Sequence, residues 1–273
     1  MELIVFDLDG TLLDRSSRIS TYTQETLILL AEKGIAYTVA TGRSLHAAQE
    51  ILTGHGFLLP HIYSNGVLIW DPRADTLLMD NFLALAEVGH LLEAILAQGI
   101  TPFITCMNSK QEHFIFHPPV QTEMEERLLT LFQARPRVKI LPAAQMPADV
   151  EISNVSMIGP GSKIEAIQLA MSSEEHLVAY SGPAIENSGM KWMDVHHCKA
   201  SKGGAVTLLR EQLGVSKVIC FGDSDNDLSM FAMADEAYAP ANALAVVKSA
   251  ATAVIGPHDA DGIAHFLRER FAL

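Results

Sequence analysis

Leu3-Ile4-Val5-Phe6-Asp7-Leu8-Asp9-Gly10 sets four apolar residues directly against two aspartates spaced i and i+2. The apolar run has the length of a short buried strand, and Gly10 with Thr11 turns the chain away from it. In extended backbone that spacing points both carboxylates to one side. Two carboxylates about 4 Å apart repel by about 4 kcal/mol at an effective dielectric of about 20, and taking them out of water adds to that cost. A strand ending this way implies a bound cation or a reaction that uses the acids.

Outward from this stretch the first quarter alternates strand and helix signals. A helix follows from about Thr21, with Thr21 and Gln24 spaced as a capping box and Gly34 placed to end it. Ala36–Ala40 reads as a strand, Ser44–Leu52 as a helix and His61–Ser64 as a third strand. Val67–Trp70 and Thr76–Met79 read as a hairpin across Asp71-Pro72-Arg73. The last third resumes the pattern: a helix over Gly203–Leu213, a strand over Lys217–Phe221, a helix over Leu228–Ala234, a strand near Ala253–Ile255 and a helix from Gly262. Such an order predicts an α/β fold, a doubly wound, Rossmann-like parallel sheet covered by helices on both faces. Between them, strand pairs stand beside helices and prolines punctuate the chain. The expected organisation is a core of residues 1–81 and 189–273 carrying an inserted α+β cap domain over 82–188.

The 273 residues are 49% hydrophobic and 19% charged, enough for a sizeable core. Nineteen basic residues against 32 acids give a net charge of −13, which disfavours nucleic acid and anionic membranes as partners. Three scattered cysteines argue for reduced thiols rather than a disulfide framework. Asp7 and Asp9 interrupt the opening apolar run too early for a signal peptide, and no uncharged apolar run reaches the roughly 18 residues of a membrane span. The expected location is the cytoplasm. No feature of the sequence specifies an oligomeric state.

Four short segments fall at strand ends or helix starts: Asp7–Asp9, Thr41-Gly42-Arg43, Lys202-Gly203-Gly204 and Gly222-Asp223-Ser224-Asp225-Asn226-Asp227. Strand carboxyl ends of a parallel sheet share one edge, where ligands bind. A basic residue at a helix N-terminus is unfavourable by up to about 1 kcal/mol unless an anion faces it. Arg43 and Lys202 therefore call for anions, and the carboxylates call for a cation such as Mg²⁺, which takes few carboxylates together with phosphate oxygens and water. A Mg²⁺-dependent phosphate site satisfies both.

These segments, with Leu12 and Ser201 beside them, resemble the four ordered motifs of the haloacid dehalogenase superfamily. The large insertion between the second and third resembles that of subfamily IIB, the Cof-type phosphatases. Ser64-Asn65-Gly66-Val67 and Asp261-Gly262-Ile263-Ala264 match as well. The resemblance implies a phosphatase acting on a small phosphorylated metabolite such as a sugar phosphate. Asp7 would be the nucleophile, forming an aspartyl-phosphate. Asp9 would be the general acid and then the base. Mg²⁺ would be held by Asp7, the Asp9 carbonyl and Asp223, with Asp227 in support. Phosphate would be held by the Leu8 amide, Thr41, Gly42, Lys202 and Asn226, with Arg43 and Asn65 as further contacts. The insertion would supply specificity. Related outcomes are a phosphomannomutase-like transfer to a sugar and a catalytically silent phosphometabolite-binding regulator. The sequence departs from the family at Ala239-Pro240-Ala241-Asn242-Ala243, where a Met-Gly-Asn-Ala turn is frequent, so the backbone there lacks its usual glycine.

Competing readings are weaker. Asp223, Asp225 and Asp227 begin like a calcium loop, but Leu228 and Ala234 stand where it needs Gly and Glu. His196-His197-Cys198 has no second ligand pair at zinc spacing. Gly159-Pro160-Gly161-Ser162-Lys163 lacks the order of a Walker A loop, and Ser162 with Glu165 reads as a capping box. Lys110, His113, His117 and Lys163 are candidate substrate contacts in the insertion, each also readable as an ordinary surface residue.

Overall fold

Alternation in the first strand builds the two faces of the core. The structure is a computed structural model and describes residues 2–108, 112–134, 138–184 and 187–273. One compact unit takes the chain to Asp80 and again from Ala200; the second runs Asn81–Lys199. The first unit contains β1 (Glu2–Phe6), α1 (Thr21–Glu32), β2 (Ala36–Val39), α2 (Leu45–Leu52), β3 (His61–Tyr63), β4 (Leu68–Asp71) and β5 (Thr76–Asp80). The second contains α3 (Gly89–Ala97), β6 (Phe103–Met107), β7 (His113–His117), α4 (Glu123–Gln133), β8 (Val138–Pro142), β9 (Glu151–Pro160), α5 (Gly161–Ala170), β10 (Leu177–Ala184) and β11 (Asn187–His197). The chain returns to the first unit with α6 (Lys202–Leu213), β12 (Lys217–Phe221), α7 (Leu228–Met233), β13 (Glu236–Pro240), α8 (Ala245–Ala250), β14 (Ala253–Ile255) and α9 (Gly262–Phe271).

In the first unit the described strands β14-β13-β12-β1-β2 form a parallel sheet in that order. A parallel bridge from Ala40 to Ile62 continues it to β3, to which the hairpin β4–β5 adds antiparallel. Leu3 and Val5 of β1, with Val218 and Cys220 of β12, pack on Ala205, Val206 and Leu209 of α6 and Met230 and Phe231 of α7. The alternate residues face the other way: Phe6 stacks near Phe221, which meets Phe266 of α9. Burying both faces is what the uninterrupted apolar strands require. The second unit is a sheet in the order β10-β11-β9-β6-β7-β8, antiparallel except for β7 with β8.

Several expectations need correction. The insertion does not end at 188: β11 runs through that position, paired with β9 and β10, and the second unit extends to Lys199. Helix α1 is capped by Ser20, whose hydroxyl accepts from the Thr23 amide at 3.0 Å, instead of by Thr21. Helix α5 starts after Pro160, whose side chain has no acceptor, so Ser162 falls inside the helix instead of capping it, and Glu165 takes the Lys191 ammonium at 2.8 Å. Strand β13 and helix α8 are additions: β13 is poor in the β-branched and aromatic residues that mark a strand, and α8 is only six residues long. At the Ala239–Ala243 turn none of the described residues has positive φ, so the absent glycine is not needed there. Among the described residues, no helix is long and apolar enough to cross a membrane.

Candidate active site

The carboxyl ends of β1, β2, β3 and β12 deliver the predicted residues to one edge of the sheet. Asp7 follows β1 and its amide donates to Phe221 O at 2.9 Å, locking the ends of β1 and β12 together. The chain then makes a wide turn, closed by the Leu12 and Leu13 amides on Asp7 O and Leu8 O. Gly10 sits in this turn at φ 73°, and a Cβ there would lie 2.5 Å from Asp223 Oδ2, so the position needs glycine twice over. Asp223 follows β12, and its carboxylate accepts from Thr11 Oγ1 and Ser224 Oγ, both at 3.1 Å. Asp227 is fully buried, its Oδ2 accepting the amides of Asp223 (2.8 Å) and Ser224 (3.0 Å).

Lys202 opens α6 behind the cap Ser201, whose hydroxyl accepts from the Gly204 amide at 3.0 Å. Gly203 lets this helix start meet α7: a Cβ there would fall 2.2 Å from Ser229 O. That approach puts the Lys202 ammonium, at 0% exposure, between two carboxylates, 2.5 Å from Asp7 Oδ1 and 2.6 Å from Asp227 Oδ1. Burial works against the lysine's charge, but Asp227 and Asp7 outweigh it and hold its pKa above the ordinary value. Burial raises the Asp7 carboxyl well above its usual range; Lys202 opposes the shift while Asp227 and Asp223 add to it. Asp223 is raised by burial and then by Asp227, against hydrogen bonds from Thr11 and Ser224.

Carboxylate oxygens of Asp7, Asp223 and Asp227 lie within 4.8 Å of one another. Three carboxylates against one ammonium leave two negative charges, which a divalent cation balances. An all-oxygen donor set of this kind fits Mg²⁺ and similar hard cations instead of zinc. The side chain of Asp9 is not part of this group.

The remaining predicted residues are linked by further hydrogen bonds. Asn226 Nδ2 donates to Asn65 Oδ1 at 2.9 Å, and Gly42 lies against both side chains. Asn65 adopts φ 57°, tied in place by its amide on Thr41 O at 3.0 Å. Thr41 is buried and its Oγ1 accepts from the Arg43 amide at 3.0 Å. Leu8 is buried among the core residues. Arg43 is paired with Asp9, Nε to Oδ2 and Nη2 to Oδ1, each at 2.6 Å, and this hydrogen bonding chiefly raises its pKa. The anions that Arg43 and Lys202 were expected to face thus include the chain's own carboxylates.

Sequence reasoning missed Ser17, on Arg43 Nη2 at 3.1 Å, and Asn242, whose Nδ2 donates to Gly10 O at 2.7 Å while its Oδ1 accepts from the His258 amide at 3.1 Å. Of the contacts considered in the insertion, Lys163 donates to Gln98 O at 2.6 Å and His117 Nδ1 lies 2.7 Å from Pro118 O. His113 stands on β7 and Lys110 lies outside the described residues. His196 is buried with Nδ1 3.1 Å from His197 O.

Residues 4–267 match the family of haloacid dehalogenase-like hydrolases. The 5-amino-6-(5-phospho-D-ribitylamino)uracil phosphatase YwtE of Bacillus subtilis is 27% identical, over 98% of this chain and 97% of that protein. The pyridoxal phosphate phosphatase YbhA of Escherichia coli is 25% identical, over 97% of each. Among solved structures, the HAD subclass IIB sugar phosphatase BT4131 superposes with a TM-score of 0.78 at 21% identity, over 100% of this chain and 99% of that one. The chain belongs to the haloacid dehalogenase-like hydrolases, with the fold of their subclass IIB, Cof-type phosphatases.

Proposed function

We propose that this protein hydrolyses the phosphate monoester of a small phosphorylated metabolite, with Mg²⁺, through an aspartyl-phosphate on Asp7. One observation carries the reading: a buried lysine bridges Asp7 and Asp227 beside a three-carboxylate oxygen set at the carboxyl edge of a parallel sheet. Lys202 holds Asp7 Oδ1 and so presents Oδ2 for in-line attack on phosphorus. The bond to the leaving oxygen breaks as the phosphoryl group passes to Asp7, and Asp9 gives that oxygen its proton. Asp9 then takes a proton from water, which attacks the phosphoryl group and frees Asp7 and inorganic phosphate. Thr41, Gly42, Asn226, Lys202 and the Leu8 amide hold the phosphoryl oxygens in this scheme. Mg²⁺ on Asp7, Asp223 and Asp227, with the Asp9 carbonyl, would neutralise charge on those oxygens.

The substrate class is supported by relatives named for a phosphoribitylaminouracil and for pyridoxal phosphate, both small phosphorylated metabolites. The test is a panel of phosphorylated metabolites incubated with purified protein and Mg²⁺, reading released phosphate. Release from at least one compound, abolished in Asp7→Asn, is expected. A folded protein that releases none, or an Asp7→Asn variant that turns over undiminished, would refute the reading.

A further inference from the structure

The second aspartate does not join the first. Its side chain is 54% exposed, and both its oxygens are taken by the Arg43 guanidinium at 2.6 Å. That guanidinium is itself held: Nη2 reaches Ser17 Oγ at 3.1 Å and Nη1 reaches Ala47 O at 3.5 Å. The Arg43 backbone is fixed as well, through its amide on Thr41 Oγ1 at 3.0 Å. Arg43 is therefore a braced side chain at 23% exposure, not a loose cation on the rim.

A guanidinium has five N–H donors and no acceptor. A forked pair suits a carboxylate, whose two oxygens only accept. A carboxyl group carrying a proton has an O–H to place, and the fork offers it nothing. The fork engages both Asp9 oxygens and so sets where the carboxyl points. Monoester hydrolysis through Asp7 asks that carboxyl to give a proton and then to take one.

Resting on the hydrolase reading above, we propose that Arg43 is a positioning residue acting through Asp9, in place of the phosphate contact its motif implies. It fixes where the acid–base carboxyl rests between its two proton transfers, and giving the proton requires one arm of the fork to let go. Arg43 then matters in proportion to how much the leaving group needs a proton. A phosphate ligand would matter equally for every ester, because the phosphoryl group is the same in all of them.

p-Nitrophenyl phosphate and phenyl phosphate separate the two roles, since nitrophenolate departs with little help and phenolate needs it. The quantity to compare is kcat/KM, which covers the step in which the leaving group departs, in wild type, Arg43→Lys, Arg43→Ala, Asp9→Asn and Asp9→Asn with Arg43→Ala. For Arg43→Ala the expected loss is about a hundredfold on phenyl phosphate and about threefold on p-nitrophenyl phosphate. Arg43→Lys, which keeps the charge but not the fork, falls between wild type and Arg43→Ala on phenyl phosphate. In the Asp9→Asn background, removing Arg43 costs less than about twofold more. Inhibition by inorganic phosphate stays within about twofold of wild type.

Equal losses on the two esters, a full Arg43 effect surviving in Asp9→Asn, or a tenfold weakening of phosphate inhibition would each overturn the assignment and return Arg43 to the phosphoryl group. A wild-type protein that hydrolyses both esters with such a result refutes only the role of Arg43. Where neither aryl ester is turned over, the same variants are compared on a hydrolysed metabolite of the panel, and an Arg43 effect that survives in Asp9→Asn or a tenfold weaker phosphate inhibition overturns the role; release from no compound at all refutes the hydrolase reading and this role together.

Discussion

Lys202 with Asp7 and Asp227, and Arg43 with Asp9, are closed to nearly the same distances, 2.5 and 2.6 Å in the first and 2.6 Å in the second. Their surroundings differ. Lys202 and Asp227 are at 0% exposure, whereas the Asp9 side chain is at 54%. Breaking a buried pair by removing one partner costs about 3–5 kcal/mol, because the other charge is stranded away from water. An exposed pair contributes roughly 0–1 kcal/mol, because water replaces the lost partner. Depth, and not distance, decides which pair is scaffold. The first cluster holds the fold and the proposed nucleophile with the same bonds; the second can open and close at little cost to the fold.

The largest expected effect is on turnover: Asp7→Asn lowers kcat by about four orders of magnitude or more, measured by phosphate release on whichever substrate the panel identifies. Lys202→Met comes next, lowering unfolding stability by about 3–5 kcal/mol in denaturant titration. If it proves no worse than Arg43→Met, the contrast between the two clusters fails.

His61 sharpens the comparison as a buried group lacking a counter-charge in direct contact. Its ring touches Tyr63 Oη at 2.7 Å and Phe57 O at 3.2 Å, and burial lowers its pKa to about 4 from 6.5. The folded value lies below the unfolded one, so this contribution to stability is complete above pH 6.5 and is lost as the pH falls toward 4. The loss amounts to about 3 kcal/mol, and His61→Gln should flatten the stability profile over that window. Mg²⁺ at a hundred times its Kd should raise stability by about 2.7 kcal/mol, with chelator reversing the gain. Asp223→Asn should remove most of it, and an equal gain in that variant would place the ion elsewhere. The smallest effect is Arg43→Met, under about 1 kcal/mol of stability, whatever it does to turnover.

The strands that carry the acids were legible because each is an uninterrupted apolar run stopped by Asp or Gly, as in Val218–Phe221 before Gly222 and Asp223. The cluster of Asp7, Lys202, Asp223 and Asp227 followed from placing those ends on one sheet edge. The partner of Arg43 was not legible. A cation at a helix start announces an anion but not which one, and Asp9 stands 34 residues away in sequence. Strand β13 was hidden for another reason: Glu236-Ala-Tyr-Ala-Pro240 has one strong strand former among five residues, and its position comes from pairing with β12 and β14. The limits of the insertion were obscured because β11 carries no break at 188.

The pairing of β1 with both β2 and β12 also sets an order of assembly. β2 is within reach as soon as the first forty residues exist, but β12 and the Lys202 that neutralises Asp7 arrive about two hundred residues later, with 195 positions separating the paired side chains. Until then a nascent chain exposes one open edge of β1, a strand able to pair with the wrong neighbour. Such long-range closure is slow to form. During synthesis the proposed catalytic centre is therefore among the last parts of the molecule to exist, and a chain stopped before α6 would carry Asp7 without the lysine paired with it.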